Sequence, residues 1–336
     1  MKQRIVYGGL PALSRELQKE EWGNVKYVIL LDENTFQHCL PLLISQVEVL
    51  QEAEFIEVPV GEDCKSLDVA AQVWQTLLEM GADRQTVVVN LGGGCVCDMG
   101  GYAASCYKRG IRCINVPTTL LSMVDASIGG KTAVNHGGIK NSIGTFHAAD
   151  IVCLERSFLA TLPPVEMLSG QFEMIKTAAV TDSDLYVHIM GADTVTQKMI
   201  GNIARIKHRV VSADPYDHGV RHILNFGHTF GHAIETHSGL PHGVAVGIGM
   251  IAAMYLSAKK TGLDEAWYRS YAIWVRQHTE VPKYTLKDIE QILALIHQDK
   301  KNADGVTRAV LLKEIGAAMI DVEISDNEIR DAMLHL

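Results

Sequence analysis

The segment Thr86-Val-Val-Val-Asn-Leu91 runs directly into Gly92-Gly-Gly94 and then into Cys95-Val-Cys-Asp98-Met-Gly-Gly-Tyr-Ala-Ala. Few folds accommodate that order. The apolar run reads as a buried strand, the glycines as a tight turn, and the small residues after them as a helix. Such a turn lets backbone N–H groups approach an anion at a helix N-terminus, where the dipole favours negative charge. The spacing is not G-x-G-x-x-G, so the usual dinucleotide fingerprint is absent. Alone, the turn suits a structural role as well as a phosphate site.

Its surroundings extend the pattern. Val25–Leu31 reads as a strand ending at Asp32, and Phe55–Pro59 as a shorter one. Ser66 opens a helix with Val69, Val73, Leu77 and Met80 on one face and Gly81 as its stop. Cys113–Val116, ended by Pro117, and Asp150–Leu154 supply further strands. Strands alternating with helices predict an α/β domain with a mostly parallel sheet over residues 1–155. Beyond it helical spacing dominates, which predicts an all-α domain over 156–336. Its last helix is announced by a Ser325/Glu328 capping box and an Ile324/Ile329 staple. Two stretches near predicted strand C-termini, Gly61-Glu62-Asp-Cys-Lys65-Ser66 and Pro117-Thr118-Thr119, favour a ligand there.

The chain has 336 residues and a formal net charge of −9, with no block of Lys or Arg. Nucleic acid is therefore not an expected partner. The seven cysteines are scattered and read as small buried side chains in a reducing cytoplasm. No signal-peptide pattern opens the sequence. The longest apolar run, Val244–Ala258, falls short of the ~18 residues a membrane span needs, so a buried helix and no membrane association are expected.

Two stretches carry candidate chemistry. Asp125 through Lys131, Asn135, Lys140 and Asn141 combines glycine pairs with lysines, and with Arg109 upstream it suits a phosphate-bearing ligand; a solvated loop is the plainer alternative. Asn225-Phe-Gly-His228-Thr-Phe-Gly-His232-Ala-Ile-Glu235 puts two histidines on one helix face, and Pro241-His242-Gly243 follows. H-x-x-x-H alone is weak, and no Glu beside His228 completes a zinc-protease motif. Glu173, with Lys176 one turn along, is the candidate carboxylate for a divalent metal.

Taken in order, these motifs resemble the dehydroquinate synthase family of sugar-phosphate cyclases, from Gly61-Glu62 to Asp299-Lys300-Lys301. The resemblance implies a dinucleotide-binding domain over 1–155 that takes NAD, a metal- and substrate-binding domain over 156–336 with one divalent metal (Zn2+ or Co2+), and cyclisation of a seven-carbon keto-acid phosphate with loss of phosphate. It implies Glu173, His228 and His242 as metal ligands, and His232 close to the reacting hydroxyls. Lys176, Asn225 and Asp125 would orient the ring, and Lys207 and Arg221 would pair with the substrate carboxylate. Lys131, Asn141, Lys300 or Lys301, and Arg109 would hold the phosphate, Arg109 from across a homodimer interface. Asp32, Glu62, Lys65, Gly93, Gly94, Cys95, Asp98, Thr118, Thr119, Leu121, Lys131, Lys140, Phe158, Thr161 and Leu162 would contact the nucleotide.

Three departures from the family pattern stand out. Asp217 replaces a Glu at a substrate contact, Gln171-Phe172 replaces a smaller apolar pair, and His136-Gly-Gly138 replaces a Pro-bearing stretch. The alternatives are a 2-deoxy-scyllo-inosose synthase-like cyclase, a metal-dependent glycerol or alcohol dehydrogenase, and a non-catalytic binding protein. The phosphate-gripping set argues against the dehydrogenase, and Arg221 with Lys207 against a substrate lacking a carboxylate. The retained Glu173, His228, His242 and Lys176 argue against the binding protein.

Overall fold

The computed structural model describes residues 3–298 and 306–336. By packing, these fall into two compact units, one running to Pro163 with Thr196–Tyr216 added, the other comprising Pro164–Val195 and the described residues from Asp217.

The first unit is built on a six-stranded sheet. Its strands are β1 (Arg4–Val6), β2 (Tyr27–Asp32), β3 (Glu54–Val58), β4 (Val87–Gly92), β5 (Arg112–Pro117) and, after an intervening hairpin, β8 (Ile151–Cys153). Their order is β1-β8-β5-β4-β2-β3 and every pairing is parallel. All six residues of β2 and of β4 are buried, which is why both read as largely apolar runs, broken only by Asp32 at the end of β2 and Asn90 within β4, whereas the edge strand β3 alternates. Ser66 caps the helix Leu67–Glu79 through Val69 N–H, and that helix lays Val69, Val73 and Leu77 against the sheet. The glycine turn opens the helix Gly94–Cys106, with Gly93 as its N-cap.

The expected basic loop is a hairpin, β6 (Lys131–His136) and β7 (Ile139–Phe146). Its two-residue connection, Gly137-Gly138, has φ of +60° and +75°. Left-handed backbone at both positions matches strand twist and admits glycine readily, and proline, locked near φ −65°, not at all. The departure from a Pro-bearing stretch thus has a structural cause.

The second unit is mostly helical. The helix His242–Lys260 is its axis, buried from Gly243 to Ser257. At 19 residues it is longer than the apolar run suggested, and long and apolar enough to cross a membrane, but 83% of its 18-residue apolar window is buried inside the protein, so it is a core helix. Around it lie Pro164–Thr181, His228–Ser238 and Glu265–His278. Phe172 is fully buried, edge-on to Trp274 at 5.8 Å, and fits because Gly247 faces it; a Cβ there would lie 2.3 Å from the ring. An antiparallel hairpin, β9 (Arg308–Glu314) and β10 (Ala317–Glu323), adds strands that the helical reading did not anticipate. The capping box of the final helix, Asp326–Leu334, forms as read, and Ile324 and Ile329 are both buried.

The division differs from a single boundary at 155/156. It falls after Pro163, and the helix Gln197–Ala213 belongs to the first unit, where it packs on the π-helical turn Ser122–Ala126. A fading strand signal marks where the sheet stops; it does not show which later helix returns to cover it.

Candidate active site

In the second unit, three elements bring polar side chains into an apolar interior. Glu173 and Lys176 share a face of Pro164–Thr181, fully buried, with the Lys176 ammonium paired to Glu173 Oε2. His228 and His232 lie on His228–Ser238, and His242 opens the next helix. Gly227 fixes the approach of these two helices. It is the left-handed N-cap of the first (φ +78°), and a Cβ on it would lie 2.4 Å from Met250 Cγ and 3.1 Å from the Val246 carbonyl. The three imidazole rings stand 5.2–5.7 Å apart.

The hydrogen bonds of the rings set their chemistry. His228 Nδ1 faces the Phe226 carbonyl at 3.2 Å, and His242 Nδ1 faces Glu235 Oε2 at 2.8 Å. Both acceptors place the proton on Nδ1, so each Nε2 presents a lone pair. Both Nε2 atoms lie 3.9 Å from one atom, Glu173 Oε1. That oxygen is buried with no hydrogen-bond partner. A buried carboxylate oxygen left in this way is costly unless a cation serves it. Ligand atoms each about 2.0–2.2 Å from one ion stand no more than about 4.4 Å apart, so this spacing admits a metal. The residues present therefore fit a divalent ion held by one carboxylate and two imidazoles. The alternative trio His228, His232 and His242 also converges, with ligand atoms within 4.8 Å of one another. Burial, then the Lys176 charge and the neighbouring rings, keep His228 neutral, with a pKa well below the usual value. Burial also works against charging His242, but the Glu235 hydrogen bond and Glu173 outweigh it and raise its pKa.

Arg221, buried, and Asn225 belong to the 3-10 turn Val220–Asn225, which packs against β9 and β10. Asp217, with φ +61°, accepts a hydrogen bond from His222 Nε2 on its backbone oxygen at 3.0 Å.

In the first unit, the C-terminal ends of the parallel strands gather most of the nucleotide-side candidates. Asp32 ends β2 and caps the helix Glu33–His38, its Oδ1 accepting from Thr35 N–H at 2.8 Å. Glu62 and Lys65 follow β3; Gly93, Gly94, Cys95 and Asp98 follow β4; Thr118, Thr119 and Leu121 follow β5. Phe158 and Thr161 lie in the 3-10 turn Arg156–Thr161, with Leu162 as its C-cap. Lys65 Nζ pairs with Asp98 Oδ2 at 2.6 Å and donates to Asn141 Oδ1 at 2.6 Å, which draws the β6–β7 hairpin to the strand ends. Burial disfavours the Lys65 charge, yet Asp98 holds its pKa above the usual lysine value. Burial pushes the Asp98 carboxyl up to about 6 against the pull of Lys65. Lys207 Nζ meets Asp125 Oδ1 at 2.5 Å, so this pair forms within the first unit although Lys207 lies beyond the boundary read from sequence. Lys131 and Lys140 lie on the same hairpin.

Arg109 is not among these groups. It is exposed in the turn Tyr107–Arg109, which leads into the N-terminal end of β5, opposite Thr118 and Thr119. Lys300 and Lys301 lie outside the described residues. Two residues without a role in the sequence reading hold others in place. Glu235, seven after His228 on the same helix face, bonds His242. Asn135, in the basic stretch, bonds Glu62 and the Asn141 backbone.

Comparison with known proteins gives concordant results. A family model described as 3-dehydroquinate synthase N-terminal matches residues 55–169, and one described as 3-dehydroquinate synthase C-terminal matches residues 170–302. The 3-dehydroquinate synthase of Parabacteroides distasonis is 36% identical over 319 residues, covering 92% of this chain and 90% of its own. Among solved structures, a 2-deoxy-scyllo-inosose synthase complexed with carbaglucose-6-phosphate, NAD+ and Co2+ aligns with a TM-score of 0.84 at 22% identity, covering 98% of this chain and 95% of that one. A 2-epi-5-epi-valiolone synthase from Streptomyces hygroscopicus subsp. jinggangensis, with NAD+ and Zn2+ bound, gives 0.80 at 24% identity, covering 99% and 95%. At such identities the structural likeness shows a shared fold.

Proposed function

The chain belongs to the 3-dehydroquinate synthase family and is an enzyme; from that premise we propose that it cyclises a seven-carbon keto-acid phosphate to a six-membered carbocycle with loss of phosphate. The observation that carries the reading is the buried Glu173 Oε1, without a hydrogen bond and 3.9 Å from both His228 Nε2 and His242 Nε2. Glu173, His228 and His242 hold a divalent metal, Zn2+ or Co2+. When bound, the metal polarises substrate oxygens and NAD accepts and returns a hydride, so that no nucleotide is consumed.

The protein's own groups do the rest. Lys176, charged and buried beside Glu173, orients the ring and stabilises oxyanions. His232 and Asn225 hydrogen-bond its hydroxyls. Arg221 and Lys207 pair with the substrate carboxylate, and Asp125 holds Lys207 in place. Lys131 and Asn141 grip the phosphate, helped by Lys300 or Lys301. Asp32, Glu62, Lys65, the glycine turn, Asp98, Thr118, Thr119 and Lys140 hold the nucleotide. We further propose a cytoplasmic homodimer in which Arg109 serves the partner's phosphate. That assignment suits its place at the far end of β5.

The test is substrate choice. Purified protein with NAD and Zn2+ or Co2+ should release phosphate from the keto-acid phosphate without accumulating NADH. Faster phosphate release from glucose-6-phosphate would transfer the reading to a sister cyclase. Steady NADH build-up on glycerol would transfer it to a dehydrogenase.

A further inference from the structure

The β6–β7 hairpin and the turn after β3 are joined by a closed run of polar contacts centred on a residue with no role in the reaction above. Asn135, near the end of β6, commits three polar groups to it. Its Nδ2 donates to Glu62 Oε2 at 2.8 Å, its Oδ1 accepts from Asn141 N–H at 2.8 Å, and its backbone N–H donates to the Lys65 carbonyl at 2.7 Å. Asn141 has φ of +52°, a left-handed conformation that persists only where its surroundings enforce it, and the bond from its N–H to Asn135 is one such constraint. The Asn141 side chain in turn accepts from Lys65 Nζ, which is also paired with Asp98, both at 2.6 Å.

The circuit thus touches both ligand sets of the unit. Glu62, Lys65 and Asp98 belong to the nucleotide side; Asn141 belongs to the phosphate side. Burial alone would raise the Glu62 carboxyl, but the Asn135 amide and Lys65 hold it below the usual value, so its charged form is the one Asn135 grips. One rigid amide makes both bonds, so holding Glu62 in place also holds the Asn141 N–H in place. A ligand that orders one end therefore lowers the cost of ordering the other, and linkage makes the effect reciprocal.

We propose that Asn135 is a positioning residue coupling the two sets, so that NAD and a phosphate group bind with positive cooperativity. The inference rests on the functional reading above and names a residue that reading does not use. The experiment measures the Kd of NAD for the metal-loaded protein, with and without saturating inorganic phosphate, in the parent and in Asn135→Ala. In the parent, phosphate should tighten NAD binding by about fivefold or more. In the variant, NAD should bind about tenfold more weakly, as for loss of a hydrogen bond to a charged group, and the phosphate effect should fall to near unity. A purely structural role would lower the variant's Tm yet leave the phosphate effect intact; that result, or no phosphate effect in the parent, overturns the proposal. If Asn135→Ala does not fold, Asn135→Ser is read in the same way, because its short hydroxyl cannot span Glu62 and Asn141 together. A parent protein that binds no NAD would overturn the functional reading and this inference with it, an outcome distinct from normal NAD binding without coupling.

Discussion

Glu235 bonds His242 Nδ1 and so determines which nitrogen of that ring faces Glu173. Its bond to Nδ1 at 2.8 Å fixes both the tautomer and the rotation of the ring. Carboxylates in this position typically change metal affinity by about 10–100-fold. Glu235→Ala should therefore weaken Zn2+ or Co2+ binding by that factor in a metal-competition titration while the far-UV spectrum stays native. Parent-like affinity would remove Glu235 from the centre. The sequence made this cluster visible as a helix face, since residues 228, 232 and 235 recur at helical spacing. It did not show which polar group binds and which supports, because that distinction lies in which nitrogen faces which oxygen. Asn135 escaped for a related reason: its three partners lie at residues 62, 65 and 141, and no local spacing connects them.

Elements were legible in proportion to how much of their character is local. Buried central strands and capped helices announce themselves through apolar runs and end signals. The β6–β7 hairpin did not, because its faces are only partly buried, and its one strong signal, Gly137-Gly138 between two strand-compatible stretches, is equally what a ligand loop would carry. The glycines of the histidine motif show how an element creates a site. Gly227→Ala would place a Cβ at φ +78° against Met250, at a cost of about 1–3 kcal/mol. It should lower Tm and separate His228 from His242; a variant with unchanged Tm and metal affinity would show that the close approach is dispensable. The terminal capping box offers a pH test. The Lys260 hydrogen bond, with the Ser325 backbone bond, lowers the Glu328 carboxyl from 4.5 to about 2. A depressed folded-state value means the contribution is present above the unfolded value and is lost as pH falls through about 2. Glu328→Gln should thus be less stable than the parent at pH 7 in denaturant titrations, with the difference shrinking below about pH 4.5. A difference independent of pH would assign the effect to capping geometry alone.

At the scale of the whole chain, ligand duties are distributed by unit, and the units do not follow the sequence in order. Residues 164–195 interrupt the first unit, which resumes with Thr196–Tyr216 and brings Lys207 to Asp125. No compositional boundary reveals such a return, since a helix that covers a sheet and one that joins a bundle share the same amphipathic pattern. The distribution itself yields a prediction. All candidate metal ligands, Glu173, His228 and His242, belong to the second unit, whereas the nucleotide-side set from Asp32 to Thr119 belongs to the first. Chelation should therefore abolish turnover and leave NAD affinity within about threefold, because none of the groups gripping the nucleotide loses a partner. Stability should respond in the opposite way. Restoring metal at about 100 times its Kd adds roughly 2.7 kcal/mol to the form that binds it. At about 2–4 °C per kcal/mol for a unit of 150–250 residues, that is a rise in Tm of roughly 5–10 °C. The metal relieves Glu173 Oε1, a buried carboxylate oxygen without a hydrogen bond that faces His228 and His242, so the gain should vanish in Glu173→Gln even where that variant stays folded. An equal gain in the variant would move the ligand set to His228, His232 and His242 and return Glu173 to being only the counter-ion of Lys176.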